Sequence, residues 1–268
     1  MERVKVKPRE NWQKICNESG FTFHTPANRP YWIENFAYKF SENEINNIQI
    51  ATKILYMMCL NAVNFVVNNP SYLFKLKIPE QAHKFIIHSW KNRDVELYSR
   101  FDLMIGNNGE IKMAEINAQT PQSILEAGRI QKNWAKYNNF AQYNNITNSF
   151  YDAFEDLGID SLHFTCVNNE IEDREGVKYI QECCRRYNKF LYIEEIGWDG
   201  KNFLDLQNKV ITNLFLLYPL EWLVEEEFFK NITFDNFKPI NPFWTYILTS
   251  KGILPLLWEL YPNNEYLL

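Results

Sequence analysis

Residues 97–123 read LYSRFDLMIGNNGEIKMAEINAQTPQS, and the organisation of the whole chain can be worked outward from them. Two segments of alternating polarity flank Gly106-Asn107-Asn108-Gly109, a composition that favours a tight turn between antiparallel strands. A two-residue loop would set position 100 opposite 115 and position 102 opposite 113. Side chains alternate faces along a strand. That register gathers Arg100, Asp102, Glu115 and Asn117 on one face. Phe101, Leu103, Ile105, Ala114 and Ile116 fall on the other, where Lys112 is the one polar residue. A slip of one residue would split the polar set between faces, so the apolar alternation supports this pairing. A cation, two carboxylates and an amide on one patch suit a binding site. On the residues alone they also suit a cross-strand salt bridge, with Arg100 opposite Glu115.

Beyond the hairpin, Thr120-Pro121 offers an N-cap and a proline at the first helical position. It predicts a helix through about Tyr137. Before the hairpin, residues 1–40 carry Trp12, Phe21, Phe23, Tyr31, Trp32, Phe36 and Tyr38, an aromatic arm for packing on a larger body. Ser41 and Glu44 form a capping-box pattern. Ile45, Ile48, Ala51, Leu55, Met58 and Cys59 then recur at helical spacing through Val67. Asn68-Asn69-Pro70 ends that helix, and a shorter one follows Pro79.

After an Asn-rich connection at 138–148, strands and helices alternate. A helix ends near Gly158, Leu162–Val167 is a strand, and Glu170–Tyr187 is a helix. Phe190–Ile193 and Lys209–Leu216 are further strands, and residues 218–229 and 252–261 are helices. This alternation predicts a parallel sheet of α/β type.

Composition narrows the function classes. The chain has 268 residues, 46% of them hydrophobic, with 20 Phe, 15 Tyr, 8 Trp and only 9 Gly. It is long enough for one large or two smaller cores. The net charge of -5 is spread along the sequence without a basic run, which argues against nucleic acid as a partner. The N-terminus has no secretory pattern. The apolar runs near Ile54–Val67 and Val210–Trp222 are too short or too interrupted for a bilayer span. No membrane partner and a cytoplasmic location are therefore expected. The five cysteines and four histidines show no metal-type spacing. The chain closes on YPNNEYLL with two terminal leucines, an ending expected of a chain cut inside a larger folding unit.

Several blocks together resemble a known family. They are "MERV", "FTFHT…YW", "LYSRFDL", "AEINAQTPQS", "HFTCVNNEIEDREGVKYIQ", "FLYIEEIG", "VITNLFLLYPLEW" and "SKGILPLLWELYPNNEYLL". In order and spacing they are similar to the short members of the glutathionylspermidine synthase family of ATP-grasp ligases, which lack an amidase domain. The resemblance implies an α/β fold: a pre-ATP-grasp-type domain plus an incomplete ATP-grasp region, with a mixed sheet and flanking helices. Residues 1–145 would hold the hairpin and helices, 146–230 the β/α part, and 231–268 the start of the ATP-grasp region.

The same resemblance implies a chemistry. The family joins a peptide carboxylate to a polyamine with ATP and Mg²⁺ as cofactors, through an acyl phosphate. Arg100 matches the arginine that contacts the carboxylate and the ATP phosphates, and Asp102, Glu115 and Asn117 match the Mg²⁺ ligands. Thr120 matches the peptide-binding turn, Glu172 and Asp173 an acidic pair that receives the polyamine, and Lys251 an ATP-contacting lysine. On the residues alone, Glu172 and Asp173 equally fit a helix first turn capped by Asn168 or Asn169. Thr120 equally fits an ordinary cap, and Lys251 a helix-start lysine.

Two residues depart from the family pattern: Gln119 replaces an Asp, and Asp173 replaces a Glu. The rest of the ATP clamp expected after "YLL" is missing, which suggests a separately encoded C-terminal ATP-grasp segment as a partner. The alternative is a truncated, inactive binding or regulatory protein, or half of a split ligase.

Overall fold

Ser41 begins the longest element as its capping box dictates. Its hydroxyl accepts from the Glu44 N–H, and the Glu44 carboxylate accepts from the Ser41 N–H. A computed structural model describes all 268 residues. In chain order the elements begin with β1 (Glu2–Lys5), α1 (Trp12–Glu18), β2 (Phe36–Lys39), α2 (Glu42–Asn68), α3 (Ser71–Lys75) and α4 (Glu80–Lys91). The hairpin follows as β3 (Arg100–Ile105) and β4 (Ile111–Asn117), then α5 (Gln131–Tyr137) and α6 (Ile146–Asp156). Next come β5 (Ser161–Cys166), α7 (Ile171–Glu182), β6 (Tyr187–Tyr192), β7 (Gly197–Trp198), β8 (Phe203–Leu204) and β9 (Asn213–Leu217). The chain finishes with α8 (Leu220–Leu223), β10 (Lys238–Ile240), α9 (Thr245–Thr249) and α10 (Ile253–Leu260).

The main sheet has the order β10-β9-β5-β6 and is parallel throughout. Parallel strands are buried on both faces, and β9 shows why its residues are apolar without alternation. Leu214 and Leu216 enter the larger core with α2, α4, α9 and α10, whereas Phe215 and Leu217 enter the smaller one with α6 and α7. The α/β expectation holds as a parallel sheet with flanking helices, and the antiparallel pairs are separate two-stranded ribbons. Helix α2 is, against expectation, long and apolar enough to cross a membrane by length and composition. Its composition has a core explanation: Ala51, Leu55, Cys59, Ala62, Val63 and Val66 are fully buried.

Several sequence expectations need correction. Helix α7 stops at Glu182 rather than Tyr187, where Asn188 turns the chain by donating to the Cys184 and Arg186 carbonyls. Strand β6 accordingly starts at Tyr187. Strand β9 starts at Asn213, after a ribbon of β7 and β8 that the sequence pattern did not suggest. The predicted helix over 218–229 is the short α8 followed by a 3₁₀ turn at Glu227–Asn231. The aromatic arm is partly a two-stranded ribbon, β1 against β2.

The arm is closed on itself by one buried ion pair. Arg9 Nε lies 2.6 Å from Glu34 Oε1 and a terminal nitrogen lies 3.1 Å from Oε2, with both side chains almost fully buried. The Trp32 indole N–H donates to the same carboxylate at 2.6 Å. Phe21, Phe23 and Cys16 carry the arm into the smaller core.

A second buried cluster holds the β7–β8 ribbon to the sheet. The Asp205 carboxylate accepts from Lys189 Nζ at 2.7 Å and from the Gln207 and Lys209 N–H groups at 2.8 and 2.9 Å. His163 Nε2 lies 3.4 Å away. Burial opposes ionisation of Asp205, but these four donors outweigh it and hold the carboxyl below the usual carboxylate range. Such a group adds stability above its unfolded value near pH 4, and loses it as pH falls through the lower folded value. Urea unfolding followed from pH 6 to pH 3 should therefore show a steeper acid-side fall for the natural protein than for Asp205→Asn. Parallel curves would rule out this contribution.

Candidate functional site

The hairpin forms, with a register that differs from the sequence expectation. Arg100 lies opposite Asn117 and Asp102 opposite Glu115. A bulge after Asp102 then sets Leu103 opposite Met113 and Ile105 opposite Ile111. The loop holds three residues, since the Gly106 N–H donates to the Glu110 carbonyl. Gly109 has φ +83°, the left-handed residue that a three-residue hairpin loop requires.

The four polar residues still share one face, because the pairing shifts by two at that end. The bulge changes the other face. Met113, Ile111 and Ile116 are the buried residues there, in place of Ala114. Lys112 lies opposite Met104, and its Nζ donates to the Leu267 carbonyl at 3.0 Å. Beside it the Met113 N–H donates to the Tyr266 carbonyl.

On the polar face every charge has a partner. Arg100 grips Asp102 with two nitrogens, Nε to Oδ1 at 2.8 Å and Nη2 to Oδ2 at 3.2 Å. That hydrogen bond raises the Arg100 pKa. Lys251, between α9 and α10, places Nζ 2.6 Å from Glu115 Oε2. Its hydrogen bond is the main reason why Glu115 is pushed below the usual carboxylate range. Lys251 thus reaches the hairpin from 136 positions away in the chain, a proximity that residue pattern alone does not supply.

The predicted N-cap at Thr120-Pro121 is absent. Residues 118–122 run on without helix because distant groups take up their polar atoms. Asn241 Nδ2 donates to the Ala118 carbonyl at 2.8 Å, Tyr98 Oη to the Pro121 carbonyl at 2.9 Å, and Arg100 Nη1 to the Gln122 carbonyl at 3.4 Å. The helix starts at Ile124 after Ser123 at φ +69° and passes through a π-turn at Glu126–Ile130. Thr120 therefore sits in the connection beside the hairpin face and caps nothing.

Gln122 joins this face to the acidic pair. Its Nε2 donates to Asp173 Oδ1 at 3.0 Å. Glu172 and Asp173 occupy the first turn of α7, and the expected cap by Asn168 or Asn169 does not form. Asn169 is left-handed, and Asn168 instead bonds Glu194 and the Asn169 N–H. Burial raises the pKa of both Glu172 and Asp173. A small cavity beside them is lined by Tyr98, Gln122, Ser123 and Glu126. Glu126 is buried and accepts from Tyr31 Oη at 2.8 Å, so the N-terminal arm borders the same cavity. Gln122 and Glu126 were not singled out by sequence pattern, and Tyr31 only as one ring of the aromatic arm. Tyr31 lies 95 positions from Glu126, and no local signal predicts that contact.

As metal donors the residues form a limited set. No three His, Cys, Asp or Glu side chains cluster as ligands. Asp102, Glu115 and the Asn117 amide are hard oxygen donors of the kind that Mg²⁺ takes together with nucleotide phosphates, and both carboxylates are held in ion pairs.

A parallel α/β domain thus presents the hairpin beside the acidic start of α7, with Gln122 joining the two. Residues 3–268 match the family model described as glutathionylspermidine synthase preATP-grasp, and the chain belongs to that family. It is 34% identical over 274 residues to a predicted acid–amine ligase of Haemophilus influenzae, covering 96% of this chain and 69% of that protein. It is 23% identical to the bifunctional glutathionylspermidine synthetase/amidase of Escherichia coli over 264 residues, with 86% and 42% of the two chains covered. It is also 23% identical to the trypanothione synthetase of Crithidia fasciculata, with 78% and 37% covered. These relatives are ligases. The chain spans less than half the length of the last two.

Proposed function

We propose that this chain carries the acid- and amine-binding part of an ATP-dependent carboxylate–amine ligase acting in the cytoplasm. The observation that supports it most directly is the continuity of the face. Arg100, Asp102, Glu115, Asn117 and Lys251 meet on the hairpin, and Gln122 links them to Glu172 and Asp173. The hairpin belongs to the part spanning 1–145, the acidic pair to the β/α part spanning 146–230, and Lys251 to the segment 231–268.

Asp102, Glu115 and the Asn117 carbonyl would hold Mg²⁺, and Arg100 and Lys251 would turn to the phosphates. Bound there, Mg-ATP would supply the phosphoryl group that activates the carboxylate, giving an acyl phosphate. The chain's own residues do the rest. Arg100 orients the acid beside the turn at Thr120. Glu172 and Asp173 receive a polyamine-like cation. Their raised pKa values suit them to take the proton that an ammonium must lose before its nitrogen can attack.

A thermal melt with Mg²⁺ alone and with Mg²⁺ plus ATP tests the reading, because a ligand bound by the folded state raises the midpoint. A rise of several degrees with millimolar ATP is expected. No rise, with or without a separately produced ATP-grasp segment, would end the ligase reading.

A further inference from the structure

Glu126 is a buried carboxylate that no cation of the chain pairs. The residue is 5% exposed. Its Oε1 accepts from Tyr31 Oη at 2.8 Å, and its Oε2 accepts no hydrogen bond. None of the chain's ion pairs includes Glu126, Glu172 or Asp173. Buried carboxylates are ordinarily held by a cation. Burial and then the Glu126 charge push the Glu172 carboxyl above its ordinary value, so the two acids lie close enough to repel. The cation that acts on Glu172 is Arg100, whose Nε and Nη2 are already given to Asp102.

The three acids border one cavity of about 10 Å³, room for a single water-sized group. Leu217, the last residue of β9, also lines it. The chain leaves β5 for β6 on one side and then returns to β9 on the other. The carboxyl ends of strands flanking such a reversal are where open α/β sheets bind ligands. The three carboxylates do not form a metal-ligand cluster. An alkylammonium suits them, because it is close to water in size and offers three N–H donors at hydrogen-bond range.

We infer that Glu126 is a specificity-determining residue of the amine subsite, where its free oxygen, with the Glu172 and Asp173 carboxylates, receives a primary ammonium end of the amine. The inference rests on the ligase reading above, adds Glu126 to its acidic pair and names the form of amine accepted. A methylated end is excluded, since each methyl replaces an N–H donor by a group for which the cavity has no room. Tyr31 acts through Glu126. It holds Oε1 and leaves Oε2 for the ligand, which makes it a positioning residue supplied by the N-terminal arm.

The test titrates spermidine into the full chain by calorimetry, beside an analogue with both terminal nitrogens trimethylated. Glu126→Gln removes the charge and keeps an acceptor for Tyr31. It should weaken spermidine binding about tenfold, the worth of one hydrogen bond to a charged group, and the trimethylated analogue should bind the natural protein at least as poorly. The Glu126→Gln melting midpoint without spermidine should not fall, since the change removes an unpaired buried charge. A merely structural residue would lower the midpoint and leave binding alone. Asp160→Asn, exposed and at the other end of β5, makes the same charge change and should bind as the natural protein does. A folded Glu126→Gln within twofold of the natural protein, equal binding of the two amines, or an equal loss in Asp160→Asn would overturn the inference and leave the ligase reading standing. Where Glu126→Gln folds poorly, Tyr31→Phe decides: a loss of about threefold is expected for one neutral hydrogen bond, and unchanged binding would overturn the inference. No spermidine binding by the natural protein, with a normal ATP-dependent melt, would overturn the amine subsite alone. Loss of both responses would overturn the subsite and the ligase reading together.

Discussion

Glu34→Gln should cost about 3–5 kcal/mol of folding stability, the loss seen when one partner of a buried ion pair is removed and the other stays charged. Arg9 cannot escape by losing its proton, because a guanidinium stays charged in proteins. It would remain buried with its two-nitrogen grip gone, and the Trp32 N–H would lose part of its acceptor. Against a typical total of about 5–15 kcal/mol, that would leave a marginal protein. The double variant Arg9→Met/Glu34→Met should recover most of the loss, since apolar replacement of a whole buried pair is often neutral. Urea unfolding midpoints of the three proteins decide the matter, and a single variant within 1 kcal/mol of the natural protein would contradict it. The effect would reach the site, because the arm whose shape this pair holds carries Tyr31 to Glu126.

Asp102→Asn should show the reverse profile. The Arg100–Asp102 pair is more than a third exposed on both sides, and exposed pairs contribute only about 0–1 kcal/mol. Stability should therefore barely change. Removing a charge that organises a transition state costs about 10²–10³ in rate, so ADP release in an active assembly should fall by at least 100-fold. An unchanged rate would remove Asp102 from the metal set. Glu34 and Asp102 are both carboxylates gripped by two arginine nitrogens, and burial separates their expected effects on stability.

Features that rest on local interactions are legible in the sequence. The capping box at Ser41 and the shared face of Arg100, Asp102, Glu115 and Asn117 depend on residues close in sequence, and both were legible. The hairpin register was not, because the bulge after Asp102 and the left-handed Gly109 each add a residue that face alternation does not reveal. The two additions sum to a shift of two, an even number that restores each side chain's face, which is why the faces came out right from the wrong pairing. Thr120-Pro121 failed as a helix start for a different reason. Asn241, Leu220 and Tyr98 claim the backbone and side chains of 118–121, and local propensity yields to such contacts. Lys251 at Glu115 and Tyr31 at Glu126 could not have been read from spacing at all.

The pairing of charges on the polar face has a kinetic consequence. Two carboxylates and two cations make the hairpin end nearly neutral. At the other end Glu126, Glu172 and Asp173 gather with Arg100 as the cation that acts on Glu172. The face is therefore electrically lopsided over the length of one substrate. A cation diffusing nearby is drawn toward the acidic end before it makes any contact, a pull that weakens as salt shortens the screening length to about 8 Å at physiological ionic strength. On the proposed reading, the fold would thereby set an approach direction, with an amine guided to the acidic end and the hairpin left free to admit an acid.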